Sequence, residues 1–140
     1  MTRVAGDTVP HRCTEMRRQN AGRTDAGSIS SVQSHKLFPA LPFLKTVSYL
    51  QEMARVVKDG GWVVFDVMTE SCFDAHHLQA WFNANAWDWP WSPHLVARDF
   101  TLQFFAEHAI DLVGSFPIPL YPAITECMVF RKNPSGTGPS

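Results

Sequence analysis

The sequence has no long apolar run. Within its 140 residues, no uninterrupted stretch approaches the ~20 apolar residues of a membrane-spanning helix. The N-terminus also lacks the apolar core of a signal peptide. We therefore predict a cytoplasmic protein that has no membrane partner.

Cysteine is scarce and scattered. Cys13, Cys72 and Cys127 lie far apart and form no C-x-x-C pair, which gives neither a disulfide framework nor a zinc site. His76 and His77 are adjacent, and neighbours on a helix point about 100° apart, so they do not readily share one metal as an i, i+4 pair does. No metal site is predicted.

Residues 1–35 contain no aromatic residue, and their only branched aliphatic side chains are Val4, Val9, Ile29 and Val32. Such a composition buries too little apolar surface to fold alone. We predict a disordered or poorly ordered segment over residues 1–35 and a flexible tail over residues 133–140. Five arginines against three acidic residues give residues 1–35 a net charge of +2. A solvated tail is favoured over a nucleic-acid-binding arm, because the arginines are dispersed and no aromatic residues lie among them.

Residues 46–68 carry the strongest structural signal. Their apolar residues at helical spacing share one face: Val47, Leu50, Met53, Ala54 and Val57. Thr46 is predicted to cap this helix, and Gly60 to adopt the left-handed conformation after its end. Residues 62–67 are apolar except for Asp66, as expected of a parallel strand that is covered on both faces.

These residues resemble a known family. They are similar to the segment of class I S-adenosylmethionine-dependent methyltransferases that ends the fourth helix and begins the fifth strand. The residues that carry the resemblance, together with the strand after them, are Leu50, Glu52, Arg55, Val56, Val57, Lys58, Gly60 and Gly61. The resemblance covers residues 34–132. Two departures are Lys-Asp-Gly-Gly at 58–61, where Lys-Pro-Gly-Gly is usual, and Ala40, where many relatives carry a histidine.

The resemblance implies an α/β fold, with residues 36–132 as the C-terminal half of a methyltransferase-like domain. This half is a partial Rossmann-like sheet, strands four to seven with flanking helices, whose last strand is antiparallel. Helices are predicted over residues 73–85 and from Asp99 or Thr101 to about His108, with a loop over residues 87–93. Residues 29–38 occupy the place of the fourth strand, and further strands are predicted over residues 110–116 and 124–130. Pro117, Pro119 and Pro122 are expected to exclude regular sheet between these two strands.

The glycine-rich loop that such enzymes place after the first strand is missing from this sequence. No Gly-x-Gly occurs before Gly60, and Gly6, Gly22 and Gly27 follow no hydrophobic run. By resemblance, the half of the sheet that supplies this loop and the acidic residue after the second strand is absent. We expect a fragment or a rearranged reading frame, with weak or absent binding of S-adenosylmethionine.

The resemblance also implies candidate site residues. Ser34 and His35 align with the position after the fourth strand, where relatives place cofactor contacts. A stacking wall for a small-molecule acceptor is predicted from aromatic residues after the fifth strand and before the last strand: Trp87, Trp89, Trp91 and Tyr121. The alternative for the three tryptophans is that they cover the exposed edge of the half-sheet. Asp66 either faces the active-site crevice or has a hydrogen-bonding partner within the fold, and no catalytic residue is assigned.

Two classes of function remain. The first is a methyltransferase, in which proximity and orientation supply most of the catalysis. The second is a non-catalytic methyltransferase remnant or a protein-binding module, which pairs its open sheet edge with another chain or with a second copy. The fold supports the first class, and the missing cofactor loop favours the second.

Overall fold

A computed structural model describes residues 24–90 and 93–134. In these ranges the strands are β1 (Ile29–Ser34), β2 (Val57–Val67), β3 (Ile110–Leu120) and β4 (Ala123–Lys132). The helices are α1 (Phe43–Val56), α2 (Ala75–Asn83) and α3 (Arg98–Ala106). Single 3-10 turns occupy Phe38–Ala40, Glu70–Cys72 and Ala86–Asp88. None of the helices within the described ranges is long and apolar enough to cross a membrane.

The four strands form one sheet in the order β1-β2-β4-β3. β1 and β2 are parallel, whereas β4 is antiparallel to both β2 and β3. β4 therefore runs against the other three strands. This arrangement confirms the predicted α/β sheet with an antiparallel last strand.

The first strand lies inside the segment for which disorder is predicted. For residues 29–34 the prediction of disorder is wrong, whereas the placement of the fourth strand within residues 29–38 agrees with β1. The sheet begins seven residues before the predicted domain boundary at residue 36. Val32 is buried in the core with Ile29 packed beside it, so pairing with β2 supplies burial that the segment's own composition does not predict. Residues 1–23 and 135–140 lie outside the described residues, and the predictions for them stay predictions.

The helix α1 begins earlier than predicted and has a different cap. Pro42 occupies the N-cap position, and the Thr46 N–H donates to the Pro42 carbonyl at 3.0 Å. The predicted Thr46 cap is therefore wrong, because proline already fixes the backbone one residue before the helix. Gly60 does have a left-handed φ of 79°. It lies in β2, however, where the pairing jumps from Ile29–Val57 to Ser31–Trp62.

The other two helices also differ at their starts. In α2, the Asp74 carboxylate accepts a hydrogen bond from the His77 N–H at 2.8 Å. In α3, neither Asp99 nor Thr101 is the cap: Ala97 holds that position, and the Glu70 carboxylate accepts from the Arg98 N–H at 3.0 Å. Glu70 lies 28 residues away, so local sequence does not reveal this partner.

The prolines do not end β3. It continues through Pro117 and Pro119, which pair with Glu126 and Ile124 of β4, so the prediction of no regular sheet there is wrong. Within the described residues β3 is an edge strand bonded only to β4. The ladder with β4 continues although proline has no N–H, so its bonds come from the residues that alternate with the prolines. The N positions of Pro117 and Pro119 therefore lie on the side away from β4, and no ladder bond is lost.

The core lies on one face of the sheet. Phe65 of β2 is fully buried there, with ring centroids at 5.5 Å from Phe38, 5.7 Å from Phe105 and 5.6 Å from Phe130. Buried residues of α1 and α3 belong to the same cluster, which places both helices on this face. On the opposite face, Trp62 is 37% exposed, with the Arg131 guanidinium 5.2 Å from its ring centroid.

We predict that Gly61→Ala destabilises the fold. A Cβ at residue 61 would lie 2.8 Å from Val57 Cγ2 and 2.9 Å from the carbonyl oxygens of Lys58 and Ser30. Because two of these contacts are backbone atoms, the strand must shift, and we expect a loss of about 1–3 kcal/mol in the free energy of unfolding by urea.

The matched control is Gly114→Ala in β3, where the added Cβ would have no atom within 4 Å. Its unfolding free energy should change by less than about 0.5 kcal/mol. Equal effects at the two glycines would contradict the steric explanation.

Candidate functional site

The carboxyl ends of β1 and β2 are joined by Asp66. Its side chain is fully buried. Oδ1 accepts from the Lys36 N–H at 2.6 Å, and Oδ2 accepts from the Thr125 hydroxyl at 2.7 Å. Since solvent does not reach this carboxylate, Asp66 has the partner within the fold that its place in an apolar strand requires. It does not face an open crevice.

The two cysteines in the described residues are buried thiols. Burial, with a smaller contribution from the charge of Asp66, raises the pKa of Cys127 to about 11. Burial also raises the pKa of Cys72. Both therefore stay protonated near neutral pH, and neither has the character of a nucleophile.

A second polar cluster surrounds Glu126 of β4. Its Oε1 accepts from the hydroxyls of Thr69 at 2.6 Å and Ser71 at 3.0 Å, and its Oε2 accepts from Arg98 Nε at 2.8 Å. Burial alone would raise the pKa of Glu126, but these hydrogen bonds, with one from Ser115, lower it. A cleft of about 250 Å³ lies beside the carboxylate. Both carboxylate oxygens already have donors, so the cluster ties α3 and the Glu70–Cys72 turn to β4.

The predicted cofactor residues lie at the end of the edge strand β1. Ser34 is 1% exposed, and its hydroxyl has no hydrogen-bond partner among the described residues. His35 is exposed, and its Nε2 lies 3.1 Å from Gln33 Oε1. A ligand at this strand end would therefore reach the His35 side chain, but not the Ser34 hydroxyl.

The predicted aromatic wall is partly assembled. Trp89 and Tyr121 stack, with centroids 6.3 Å apart and planes at 19°. Trp89 also meets Trp81 edge-on at 5.8 Å, and Trp81 lies 6.2 Å from Phe73. Trp87 contacts Phe82 at 5.8 Å instead of these rings. Trp91 lies outside the described residues.

Trp87 belongs to a separate feature, which we call the aromatic pocket. This pocket has a volume of about 230 Å³, and its described lining residues are Phe73, Leu78, Trp81, Phe82, Ala86, Trp87 and Pro93. Trp81 and Phe73 were not among the predicted site residues. The helical pattern of residues 73–85 indicates that Trp81 and Phe73 share a face. Only the structure shows that Trp89 and Ala86 pack beside Trp81.

The aromatic residues do not cover the β1 edge in the described part of the chain. Trp81 and Ala86 form a small core with Met68, and Trp89 packs against it together with Leu120 and Ala123. These contacts lie at the end of β2 and at the β3–β4 turn.

The histidines form no metal site in the described ranges. The rings of His76 and His77 are 5.2 Å apart, and His77 Nδ1 lies 2.9 Å from Asp74 Oδ1. No group of three or more His, Cys, Asp or Glu residues in the described ranges is placed to hold an ion.

Comparison with known proteins identifies the fold. No protein-family model and no curated protein sequence matches this chain. Among solved structures, the magnesium protoporphyrin IX methyltransferase from Synechocystis PCC 6803 with bound SAH is similar, with a TM-score of 0.59, 6% identity and coverage of 76% of this chain and 46% of that chain. A SAM-dependent methyltransferase from Methanosarcina mazei has a TM-score of 0.54 and 12% identity over 80% of this chain and 63% of that chain.

A third similar structure is a methyltransferase in complex with the Haloferax volcanii Trm112 methyltransferase activator. Its TM-score is 0.53 at 16% identity, and the match covers 79% of this chain and 56% of that chain. The chain spans about half the length of the solved structures that it matches. Together with the antiparallel β4 between β2 and β3, these likenesses show its fold, which is similar to part of the class I methyltransferase fold, strands four to seven with flanking helices, as the sequence predicts.

We predict that Glu126→Gln weakens the dependence of stability on acid. Because the fold lowers the pKa of Glu126 from its ordinary 4.5, the carboxylate stabilises the folded state above pH 4.5. This contribution is lost as the pH falls through the lowered pKa. Between pH 7 and pH 3, the wild type should lose more unfolding free energy than the variant, by at most about 2 kcal/mol, measured by urea denaturation at each pH.

Glu107→Gln is the control, since Glu107 is exposed at the end of α3. It should retain the acid sensitivity of the wild type. If Glu126→Gln retained that sensitivity as well, the hydrogen-bonded carboxylate would not be the source of the pH dependence.

Proposed function

We propose that these residues are the C-terminal half of an S-adenosylmethionine-dependent methyltransferase domain that acts on a small molecule. The observation that carries this proposal is the sheet order β1-β2-β4-β3 with its single antiparallel strand, in a chain whose fold is similar to that of several methyltransferases. One of these holds bound SAH. The proposal includes a cytoplasmic location and no nucleic-acid or membrane partner.

The described residues do not form a complete site for S-adenosylmethionine. The four glycines in the described ranges are Gly27, Gly60, Gly61 and Gly114. None of them follows the carboxyl end of a parallel strand, which is where a phosphate-type or cofactor-binding glycine loop belongs. His35, with the backbone at Ser34, would supply the share of the cofactor contacts that lies at the end of β1. The remaining contacts must come from the other half of the sheet.

The acceptor side of the proposed site is aromatic. Trp89 and Tyr121 form a stacked pair beside Trp81, and Trp87 lines the neighbouring aromatic pocket. We assign Trp87, Trp89, Trp91 and Tyr121 to the wall that holds the acceptor. Flat apolar walls position a substrate without reacting with it, which suits a transfer in which orientation supplies most of the rate.

The alternative is a non-catalytic methyltransferase remnant or a protein-binding module. It is favoured by the open edge: among the described residues β1 bonds only to β2. The unpaired backbone groups of such an edge accept another strand, from a partner or from a second copy of the chain. Binding at this edge requires no cofactor.

We predict that the 140-residue chain binds S-adenosylmethionine weakly or not at all. The glycine loop and the acidic residue supply several hydrogen bonds, each worth about 0.5–1.5 kcal/mol net. Without them, a micromolar dissociation constant should rise towards millimolar or beyond. Calorimetric titration of the monodisperse chain with S-adenosylmethionine measures this directly.

Micromolar binding would overturn the proposal of an incomplete site. Trp87, Trp89, Trp91 and Tyr121 would then be the first residues to substitute, with His35→Ala as the probe of the cofactor side. If binding is weak, sequencing of the genomic region and its transcripts separates the two functions. A contiguous upstream segment that encodes a glycine-rich loop supports the methyltransferase, and its absence supports the remnant.

A further inference from the structure

The aromatic pocket is made by one segment of the chain. Its described lining residues all come from a stretch, residues 59–97, that contains no lysine and no arginine. Two exposed acids of this stretch, Asp74 and Asp88, each directly follow an aromatic residue that lines the pocket. The local charge therefore favours a cation over an anion at this pocket.

Both acids supply negative charge beside the pocket. The Asp74 carboxylate accepts from the His77 N–H at 2.8 Å, and this hydrogen bond lowers the pKa of Asp74. Asp88 ends the 3-10 turn that carries Ala86 and Trp87 of the pocket wall. Surface charges are screened beyond about 10 Å at 0.1 M salt, so the acids next to lining residues act on a ligand and distant acids do not.

Four aromatic rings line the pocket, in two pairs. Phe73 and Trp81 lie 6.2 Å apart with planes at 30°, and Phe82 and Trp87 lie 5.8 Å apart with planes at 65°. Phe82 and Trp87 are 48% and 62% exposed, so rotation about their side-chain bonds can lay a ring face on a ligand. Ring faces carry the negative part of the aromatic quadrupole, and they attract a cation within about 6 Å.

The rest of the lining selects among cations. Leu78, Ala86 and Pro93 are apolar, and none of the described lining residues has a side-chain oxygen. An ammonium with N–H groups would leave water without finding a side-chain acceptor. A quaternary ammonium has no N–H to satisfy, and its alkyl surface gains from contact with an apolar wall. The volume of about 230 Å³ is below the roughly 300–1,000 Å³ of sites for drug-sized molecules, which suits one small headgroup.

We propose that the aromatic pocket binds the quaternary ammonium group of a small, choline-like molecule, which Phe82 and Trp87 hold and Asp74 and Asp88 attract. This binding does not rest on the proposed function, because it depends only on residues at the pocket. A fully alkylated nitrogen has no lone pair with which to accept a methyl group. If such a ligand is also a methyl acceptor, the accepting atom must be a different atom of the molecule.

A matched pair of probes tests the role of the charge. Choline and 3,3-dimethylbutan-1-ol have nearly the same shape, but a nitrogen in place of the branched carbon gives only choline a positive charge. The chain is labelled with ¹⁵N at the five tryptophan indoles, and each probe is titrated by NMR at low salt and pH 8, where imidazole side chains add little positive charge. We expect choline to shift the Trp81 and Trp87 signals saturably. It should bind about three- to tenfold more tightly than the neutral alcohol.

Two variants separate the ring face from the charge. Trp87→Leu keeps an apolar side chain without an aromatic face, and it should weaken choline about three- to tenfold with a smaller effect on the alcohol. Asp88→Asn keeps the shape and removes the charge. It should weaken choline about two- to threefold at low salt and leave the alcohol unchanged. Both positions are exposed, so neither variant requires the core to repack.

Trp62→Leu and Glu107→Gln are the controls. Trp62 lies on the sheet beside Arg131 and does not line the pocket. Glu107 lies between α3 and the start of β3, whereas Trp81 and Ala86 of the pocket pack near the β3–β4 turn at the other end of that strand. Both controls should bind choline as the wild type does.

Any of four results overturns the proposal. The first two are no saturable shift at Trp81 or Trp87, and an affinity for the neutral alcohol that equals or exceeds that for choline. The others are an equal loss of both probes in Trp87→Leu, and an unchanged affinity for choline in Asp88→Asn. No S-adenosylmethionine is present in the titration, so failure here leaves the proposed methyltransferase half untouched. The outcome of cofactor calorimetry likewise leaves this proposal untouched.

Discussion

The buried carboxylate of Asp66 determines where the chain leaves the sheet. It lies on β2, and it receives hydrogen bonds from the Lys36 N–H after β1 and from the Thr125 hydroxyl on β4. A carboxylate shut off from water is costly unless both oxygens have donors, and these two bonds supply them. Lys36 has a φ of 60°, a conformation that a side-chain-bearing residue keeps only when its surroundings hold it. The position of His35 therefore depends on Asp66.

Glu126 has the corresponding role on the other face. Asp66 pairs with Cys127, and the next residue, Val67, pairs with Glu126. Because successive residues of a strand point to opposite faces, the two acids serve opposite faces at the same end of the sheet. Glu126 binds Thr69 and Ser71 in the segment that leads to Phe73 and α2. The Glu126 carboxylate thus holds the loop that leads to the aromatic pocket. The Asp66 carboxylate holds the loop that follows β1.

Periodicity predicted the elements that carry their own apolar pattern. Leu50, Met53 and Ala54 of α1 are buried as expected, and β2 is a central strand. The pattern failed where a distant partner decides the outcome. β1 has little apolar surface of its own and is ordered by pairing with β2. The first N–H of α3 donates to the Glu70 carboxylate. The prolines of β3 are tolerated because this strand lies at an edge of the sheet in the described residues. For the site, the spacing of the tryptophans predicted an aromatic surface. The contact between Trp81 and Trp89 was not predicted, because it depends on how the loop after α2 folds back.

The two edges of the sheet are chemically unequal. At the β3 edge, Pro117 and Pro119 remove N–H groups from the side that faces away from β4, so an incoming strand finds donors missing in alternate positions. The β1 edge keeps its donors, and within the described residues no strand occupies it. Extension of this sheet is therefore favoured at the β1 edge, where one strand can take the vacant position. Any further strand of a methyltransferase domain, a strand of a foreign partner and a second copy of the chain would compete for this position, so extension of the sheet by one of them excludes the others.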